Sequence, residues 1–221
     1  MTSWRRRRRS VIAELKDRDL VRLYWPAELK PAFDALFAID DALAEVVASS
    51  TQPALGAIRL AWWREALERL DAGPPPPEPR LQAAATELLP RGISGKDLAG
   101  LEVGWAALLE EAPDVAAARE RGTLLFQLGA RLLDVESNDE TIGTAGRLFA
   151  RVSAGRRGFI EIGPEAPEFG PGRVARGVRP LTAFAALAAR DLRKGGPPFE
   201  PEATPGRAIT LIRHRLSGII Y

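Results

Sequence analysis

The sequence predicts an all-α protein, and three observations carry that prediction. Apolar residues recur at helical spacing along most of the 221 residues, period-two strand patterns are nearly missing, and Val, Ile and Thr are sparse beside Ala and Leu. A chain of this length can bury one sizeable core, and no composition break marks a linker near its middle. Residues 15–221 are therefore expected to form one helical domain, a bundle, behind a flexible basic tail over residues 1–14.

The elements follow in order. A first short helix runs from Asp17 to Tyr24 and stops before Pro26. A second starts near Pro31, a proline suited to a first helical turn, and carries Phe33, Leu36, Phe37, Asp40 and Leu43 towards Val47. Gln52-Pro53 opens a third through Ile58, Trp62, Trp63, Ala66, Leu67 and Leu70, which Asp71-Ala72-Gly73 and four prolines end. The Pro74–Pro77 tract reads as a stiff inter-helix loop, because helical patterning resumes at Leu81. Further helices are expected over Ser94–Glu111, Pro113–Leu133, Thr141–Arg156, Arg179–Arg193 and Thr204–Leu216. Ser94 with Asp97, and Ser137 or Asn138 with Glu140, supply capping pairs. Residues 158–177, rich in Gly and Pro, read as a long ordered loop.

Composition shortens the list of functions. There is no cysteine and a single histidine, His214, so disulfide frameworks, thiolate nucleophiles, iron–sulfur clusters and multi-histidine metal sites are excluded. Phosphate loops, dinucleotide-binding glycine patterns, nucleophile elbows and H-E-x-x-H zinc motifs are also missing. Chemistry is left to carboxylates, arginines, hydroxyls or a borrowed metal ion. Five of the 31 basic residues form one run, Arg5–Arg9, and without them 26 bases face 29 acids. The basic character is local, so a nucleic-acid partner is not indicated. The run reads as a solvated tail, with contact to anionic lipid as the alternative. No apolar stretch approaches a membrane span, and no secretory segment follows the basic run. The expected location is the cytoplasm or the periphery of the inner membrane.

Two helices hold the candidate site residues. On the second, Asp41 and Glu45 are four apart and share a face, with Asp40 about 100° round from Asp41. Such a wall can hold Mg²⁺ against a diphosphate; equally, an acidic helix face can simply meet water. On the third, the adjacent Trp62 and Trp63 point about 100° apart, so one can enter the core while the other faces a groove. Arg64 can pair with Glu68, and Arg59 lies one turn before Trp63, where its planar head can stack. These two elements read equally as core aromatic plus surface ion pair. His214, between Arg213 and Arg215 near a helix end, reads as solvated or dipole-facing, since no hydroxyl or carboxylate is spaced to orient it locally.

Taken together, Asp17-Arg18-Asp19-Leu20, Pro26-Ala27-Glu28, Ala35-Leu36-Phe37-Ala38 and above all Ile58-Arg59-Leu60-Ala61-Trp62-Trp63-Arg64-Glu65-Ala66-Leu67 resemble the squalene/phytoene synthase family. Arg179-Pro180-Leu181, Ala188-Ala189-Arg190-Asp191 and the segment Pro205–Gly218 look like the end of its shorter bacterial branch. The resemblance implies an isoprenoid-synthase-like helical bundle with a central cavity. In active members two aspartate-rich motifs face each other across that cavity and hold prenyl diphosphates through Mg²⁺ while two chains are joined head to head.

The chain departs from that pattern. Registering Ala35–Ile39 on the family places Ala44 and Glu45 where the first aspartate pair is expected, with Asp41 one turn earlier. Ala145-Gly146-Arg147-Leu148-Phe149 resembles the lead-in to the second motif, which puts Arg156 and Arg157 near its expected aspartates. A second register uses Asp134 to Asp139. In the first register one metal-binding wall is missing. The family reading is then a non-catalytic or altered member, a pseudoenzyme that keeps a prenyl-lipid cavity or serves as an assembly module, as a mitochondrial relative does for respiratory complex I. Its expected binding residues are Asp41, Glu45, Arg59, Trp63, Arg64, Arg156 and Arg157, with no metal required. The alternative is an active Mg²⁺-dependent prenyl transferase using Asp40, Asp41 and Glu45 with Asp134 or Asp139. Arg156 or Arg157 lining the cavity would favour anion binding without metal chemistry.

Overall fold

A computed structural model describes residues 15–136, 140–163 and 173–220. Among them every regular element is helical: α1 (Asp17–Arg22), α2 (Lys30–Ser49), α3 (Pro53–Arg69), α4 (Pro79–Glu87), α5 (Gly95–Ala99), α6 (Leu101–Ala106), α7 (Val115–Leu132), α8 (Glu140–Arg156), α9 (Arg179–Arg193) and α10 (Pro205–Ser217). The only strand-like pairing among the described residues is one antiparallel bridge between Arg173 and Ile219. The all-α class is as the sequence predicts. No helix among these residues is long and apolar enough to cross a membrane.

Local chemistry fixes the helix starts. Pro31, Pro53, Pro79, Pro180 and Pro205 all fall in first turns, where the missing N–H has no intrahelical partner to lose. Side chains satisfy the orphan donors: Glu78 accepts from Leu81 N at 2.8 Å, Asp114 from Ala117 N at 3.0 Å, and Ser94 and Asp97 form a reciprocal capping box. The connection after α3 carries Pro74–Pro77, as expected of a stiff loop.

One expected helix divides. Instead of running from Ser94 to Glu111, the chain breaks at Gly100, which ends α5 and begins α6, and α6 stops at Ala106. Glycine is a poor helix former, and a Cβ here would meet Leu124 Cδ2 at 2.9 Å, so the site favours close approach of α7 over helical continuity. The Ser137/Asn138 capping pair, Asp139, the Arg5–Arg9 run and the middle of the 158–177 loop lie outside the described residues.

Helix α2 is the hub. It packs against α3, α4, α6 and α7, and is buried on most of its circumference, which explains why its apolar residues are not confined to one stripe. From α7 the packing passes to α8, then α9, which meets α10 and α1. Rings from these elements form one aromatic core: Trp25 stacks on Phe33 (centroids 4.9 Å apart), Phe37 meets Phe184 (4.8 Å), Phe184 meets Phe149 (5.2 Å) and Phe149 meets Phe126 (5.5 Å). A fully buried ring such as Phe33, Phe37 or Phe126 removes enough apolar surface to contribute about 1.5–3 kcal/mol, while Phe149 is partly exposed. Helices α7 and α8 touch backbone to backbone at Gly122 and Gly146, where a Cβ on either would sit within about 2 Å of the other's carbonyl oxygen.

Candidate functional site

A cavity of about 610 Å³ opens between α1, α2, α8, α9 and the first turn of α10. That volume lies in the range of small-molecule sites. Its apolar surface comes from Phe149 and Val152 on α8 and from Phe184, Leu187 and Ala188 on α9, so one end of the aromatic core is also a wall of the cavity. Apart from Ser153 the remaining lining is charged, with seven acids (Asp17, Asp19, Asp40, Asp41, Glu45, Asp191 and Glu202) and five bases (Lys16, Arg18, Arg156, Arg157 and Arg207).

The charges are arranged as alternating pairs. Asp41 accepts from Arg18 on one side and from Arg157 Nη2 at 2.8 Å on the other. Burial works to raise its pKa, yet the two guanidinium groups together hold the carboxyl below its usual range. Deeper in, Arg207 is almost fully enclosed. Its Nε and Nη2 grip Asp17 at 2.8 and 2.6 Å, and it also bonds Asp191. Asp191 in turn accepts from Arg156 Nε and Nη2 at 2.7 and 2.9 Å. Burial opposes the charge on Arg207, but the two aspartates raise its pKa further above the ordinary arginine value, so it stays cationic at every accessible pH.

Local structure explains these placements. Asp17 opens α1, where a carboxylate also suits the positive end of the helix, and it accepts from Ala203 N at 2.9 Å, which ties the start of the described chain to the approach of α10. Arg207 sits in the first turn of α10 behind its Thr204 cap. Arg156 ends α8 and Arg157 follows it, so both emerge where the helix meets the cavity.

Of the candidates read from sequence, Asp40, Asp41, Glu45, Arg156 and Arg157 do line one cavity. Their arrangement is not that of metal ligands. Asp40 turns inward, accepting from Trp105 Nε1 at 2.8 Å and from buried Arg121, whose guanidinium lies 4.0 Å from the Trp105 ring centre. Glu45 points to Arg80, at 2.8 and 3.0 Å. Among the described residues no group of three or more acidic or imidazole side chains is placed to hold a metal ion. Among them Asp40, Asp41, Glu45 and Asp134 are not gathered into one such group, and Asp139 lies outside the described residues. Asp134 is at the end of α7 in the left-handed region (φ 53°) and is not among the lining side chains.

The tryptophan–arginine block of α3 lies elsewhere, and Arg59, Trp63 and Arg64 are not among the side chains lining the cavity. Trp63 is buried and Trp62 is half exposed, as positions about 100° apart on a helix allow, and their rings meet edge to face at 83°. Arg59 donates to Ser49 Oγ at 3.0 Å instead of stacking on Trp63, and Arg64 faces Glu102 at 3.9 Å instead of Glu68.

His214 also differs from the sequence expectation. It is buried, with Nδ1 3.0 Å from Ile219 O and Nε2 3.0 Å from Thr182 Oγ1 on α9. A carbonyl can only accept, so Nδ1 carries the proton; the Thr182 hydroxyl beside Nε2 also has the Val178 carbonyl at 3.1 Å as an acceptor. Burial lowers the imidazole pKa, and Arg179 adds to that effect. The orienting hydroxyl is 32 residues away in sequence, beyond the reach of local spacing.

Sequence reasoning did not assign Asp17, Arg18, Asp191 or Arg207 to the site. All four fall inside stretches that carry the family resemblance, but nothing in their spacing says that they converge. Comparison with known proteins gives no match, whether to a family model, to a curated protein or to a solved structure.

Proposed function

We propose that this cavity binds an anionic amphiphile, a prenyl diphosphate or a related isoprenoid lipid, without metal chemistry, as a non-catalytic relative of the squalene/phytoene synthases. The observation that supports this reading is the double arginine clamp on Asp41. Asp41 uses one lone pair on each oxygen for Arg18 and Arg157 and lies between their two positive charges, which oppose a further cation there, while each guanidinium has five N–H donors and spends few of them on the aspartate. About a third of each arginine side chain remains exposed (30% and 34%), so those donors can meet an incoming diphosphate. The isoprenoid chain would lie on Phe149, Phe184, Val152 and Leu187. Diphosphate departure in a partly apolar site needs several kcal/mol of charge stabilisation, and each ~1.4 kcal/mol missing slows it tenfold. The site offers cations already half-neutralised by aspartates, which suits holding a diphosphate more than expelling it.

Calorimetric titration with farnesyl diphosphate in EDTA, beside a diphosphate-release assay with Mg²⁺, tests the proposal. Binding that needs no metal, with no release above background, is the expected pair of results. Mg²⁺-dependent release that disappears in Asp41→Ala would overturn it in favour of an active prenyl transferase.

A further inference from the structure

Helix α10 is built inside out. Its buried face carries Arg207, Leu211 and His214, two of them polar, while Ile209, Ile212 and Leu216 stand 57%, 53% and 75% exposed. At about 100° per residue these three, with exposed Pro205, fall within an arc of about 60° directly opposite His214. Arg213 and Arg215, both exposed, flank the arc at about 80° on either side of Pro205. Beside the C-terminal half of the helix, Leu23 is 68% exposed, and its neighbour Tyr24 lies under the Arg215 guanidinium at 4.9 Å.

Helix α10 carries bases and no acid. From Ala203 to Tyr221 there is no acidic residue. Arg179 donates to the carbonyl oxygens of Arg215 and Leu216 at 2.8 and 3.2 Å, and Arg173 bridges Ile219, so two more arginines gather at this end of the helix. The Arg5–Arg9 run precedes α1, which packs on α10.

We propose that the outer face of α10 is a docking surface for an anionic lipid bilayer, with Ile209, Ile212 and Leu216 entering the acyl boundary and Arg213 and Arg215 meeting the headgroups. An apolar stripe bordered by arginines is the pattern of a helix lying in the interfacial plane. Charge complementarity selects the occupant. In a two-fold pairing of α10 with a second copy, the flanking arginines of each chain would face those of the other with no acid on either helix, whereas phosphatidylglycerol brings negative charge to the arginine-bordered stripe. This surface is separate from the cavity, and its test does not depend on what the cavity binds.

The test is co-sedimentation of the full-length chain with vesicles of phosphatidylcholine alone or mixed with phosphatidylglycerol, beside light scattering of the protein without lipid. The wild-type chain is expected to bind only the phosphatidylglycerol vesicles and to scatter as a monomer. Ile212→Glu with Leu216→Glu should weaken vesicle binding at least tenfold with an unchanged melting curve, because both side chains already face out. Arg213→Ser with Arg215→Ser should weaken it by about fivefold per arginine. Replacing Arg5–Arg9 by serines separates the tail from the helix. Should the Ile212/Leu216 variant sediment like the wild type, the tail alone holds the membrane and the proposal fails. It fails equally if the wild type ignores anionic vesicles, or if it is a dimer that Ile212→Glu dissociates.

Discussion

Arg157 Nη2 lies 2.8 Å from Asp41 Oδ1 and so joins the end of α8 to the middle of α2 across 116 residues of chain. With Arg18 on the other oxygen, the aspartate serves as the centre of a cationic clamp. The two partners therefore respond oppositely to truncation. Asp41→Ala releases two guanidinium groups and should tighten binding of farnesyl diphosphate, or of inorganic diphosphate, in EDTA. Arg157→Ala should weaken it. A hydrogen bond to a charged group is worth about 1.5–3 kcal/mol, and partial exposure favours the lower end, so about tenfold is expected each way. Calorimetry reads both directly. Weaker binding in Asp41→Ala would mean that the carboxylate is needed to hold the two guanidinium groups in position for the ligand, and that the clamp does not merely compete with it.

Arg207 lies below that clamp, 2% exposed, with Asp17 and Asp191 both on its guanidinium. Removing it strands two buried carboxylates, and only Arg156 is left on one of them. Breaking a buried ion pair from one side typically costs about 3–5 kcal/mol, because the remaining charge has lost its compensation. Arg207→Met is expected to lower the unfolding free energy read from urea titration by that much, and Arg156→Met, at an 18% exposed site, by less. Equal effects in the two variants would show that water reaches Asp17 and Asp191 once Arg207 is gone.

Much of the architecture is legible because helix signals are local. Periodicity, first-turn prolines and caps place α2, α3, α7, α8 and α9 to within a few residues, and Gly100 divides α5 from α6 for a tertiary reason that no local pattern carries. The site is less legible. Asp41 shares a helix face with Glu45 as spacing requires, but spacing does not say that Arg18 and Arg157 arrive at the same carboxylate from opposite ends of the chain. Arg59 and Arg64 illustrate the converse: a dense aromatic–basic block attracts a functional reading, while the fold uses it to seat Trp63 in the core and to face Ser49 and Glu102. His214 has no hydroxyl or carboxylate spaced to orient it nearby in sequence; the Ile219 carbonyl and Thr182 on α9 hold it.

Acid should weaken the fold in two steps. His214 is held neutral by burial, so its folded pKa lies below the usual 6.5. The unfolded chain takes up that proton first, and the contribution, complete above pH 6.5, declines as pH falls through it. Glu200 accepts from Lys194 Nζ at 2.8 Å, Thr204 Oγ1 at 2.6 Å and Arg190 Nε at 3.0 Å, which together hold its carboxyl down at about 2, against 4.5 for an ordinary glutamate. Its contribution is whole above pH 4.5 and is lost between there and about 2. Urea midpoints followed against pH should show His214→Gln flattening the slope just below neutrality and Glu200→Gln flattening the more acid limb. An unchanged profile in either variant would remove that residue from the account.

The contact that sets where Arg156 and Arg157 emerge is the approach of α8 to α7 at Gly146 and Gly122. A Cβ on Gly146 would lie 2.1 Å from Gly122 O and 2.9 Å from Thr123 N, and these are backbone atoms that cannot turn aside. Two effects compete in Gly146→Ala. Alanine gains about 1 kcal/mol of helix propensity over glycine, while overpacking typically costs about 1–3 kcal/mol and more where backbone must move. The clash should win, lowering the unfolding free energy read from urea titration by about 2 kcal/mol and weakening diphosphate binding as α8 carries Arg157 away from Asp41. Gly143→Ala on the same helix is the control. Its nearest neighbour would be Thr123 Cγ2 at 3.4 Å, an ordinary contact, so propensity is left unopposed and the variant should be neutral or slightly more stable. If the two variants behave alike, the helices slide apart at little expense, and the placement of the clamp must be set from the α9 side of α8 instead.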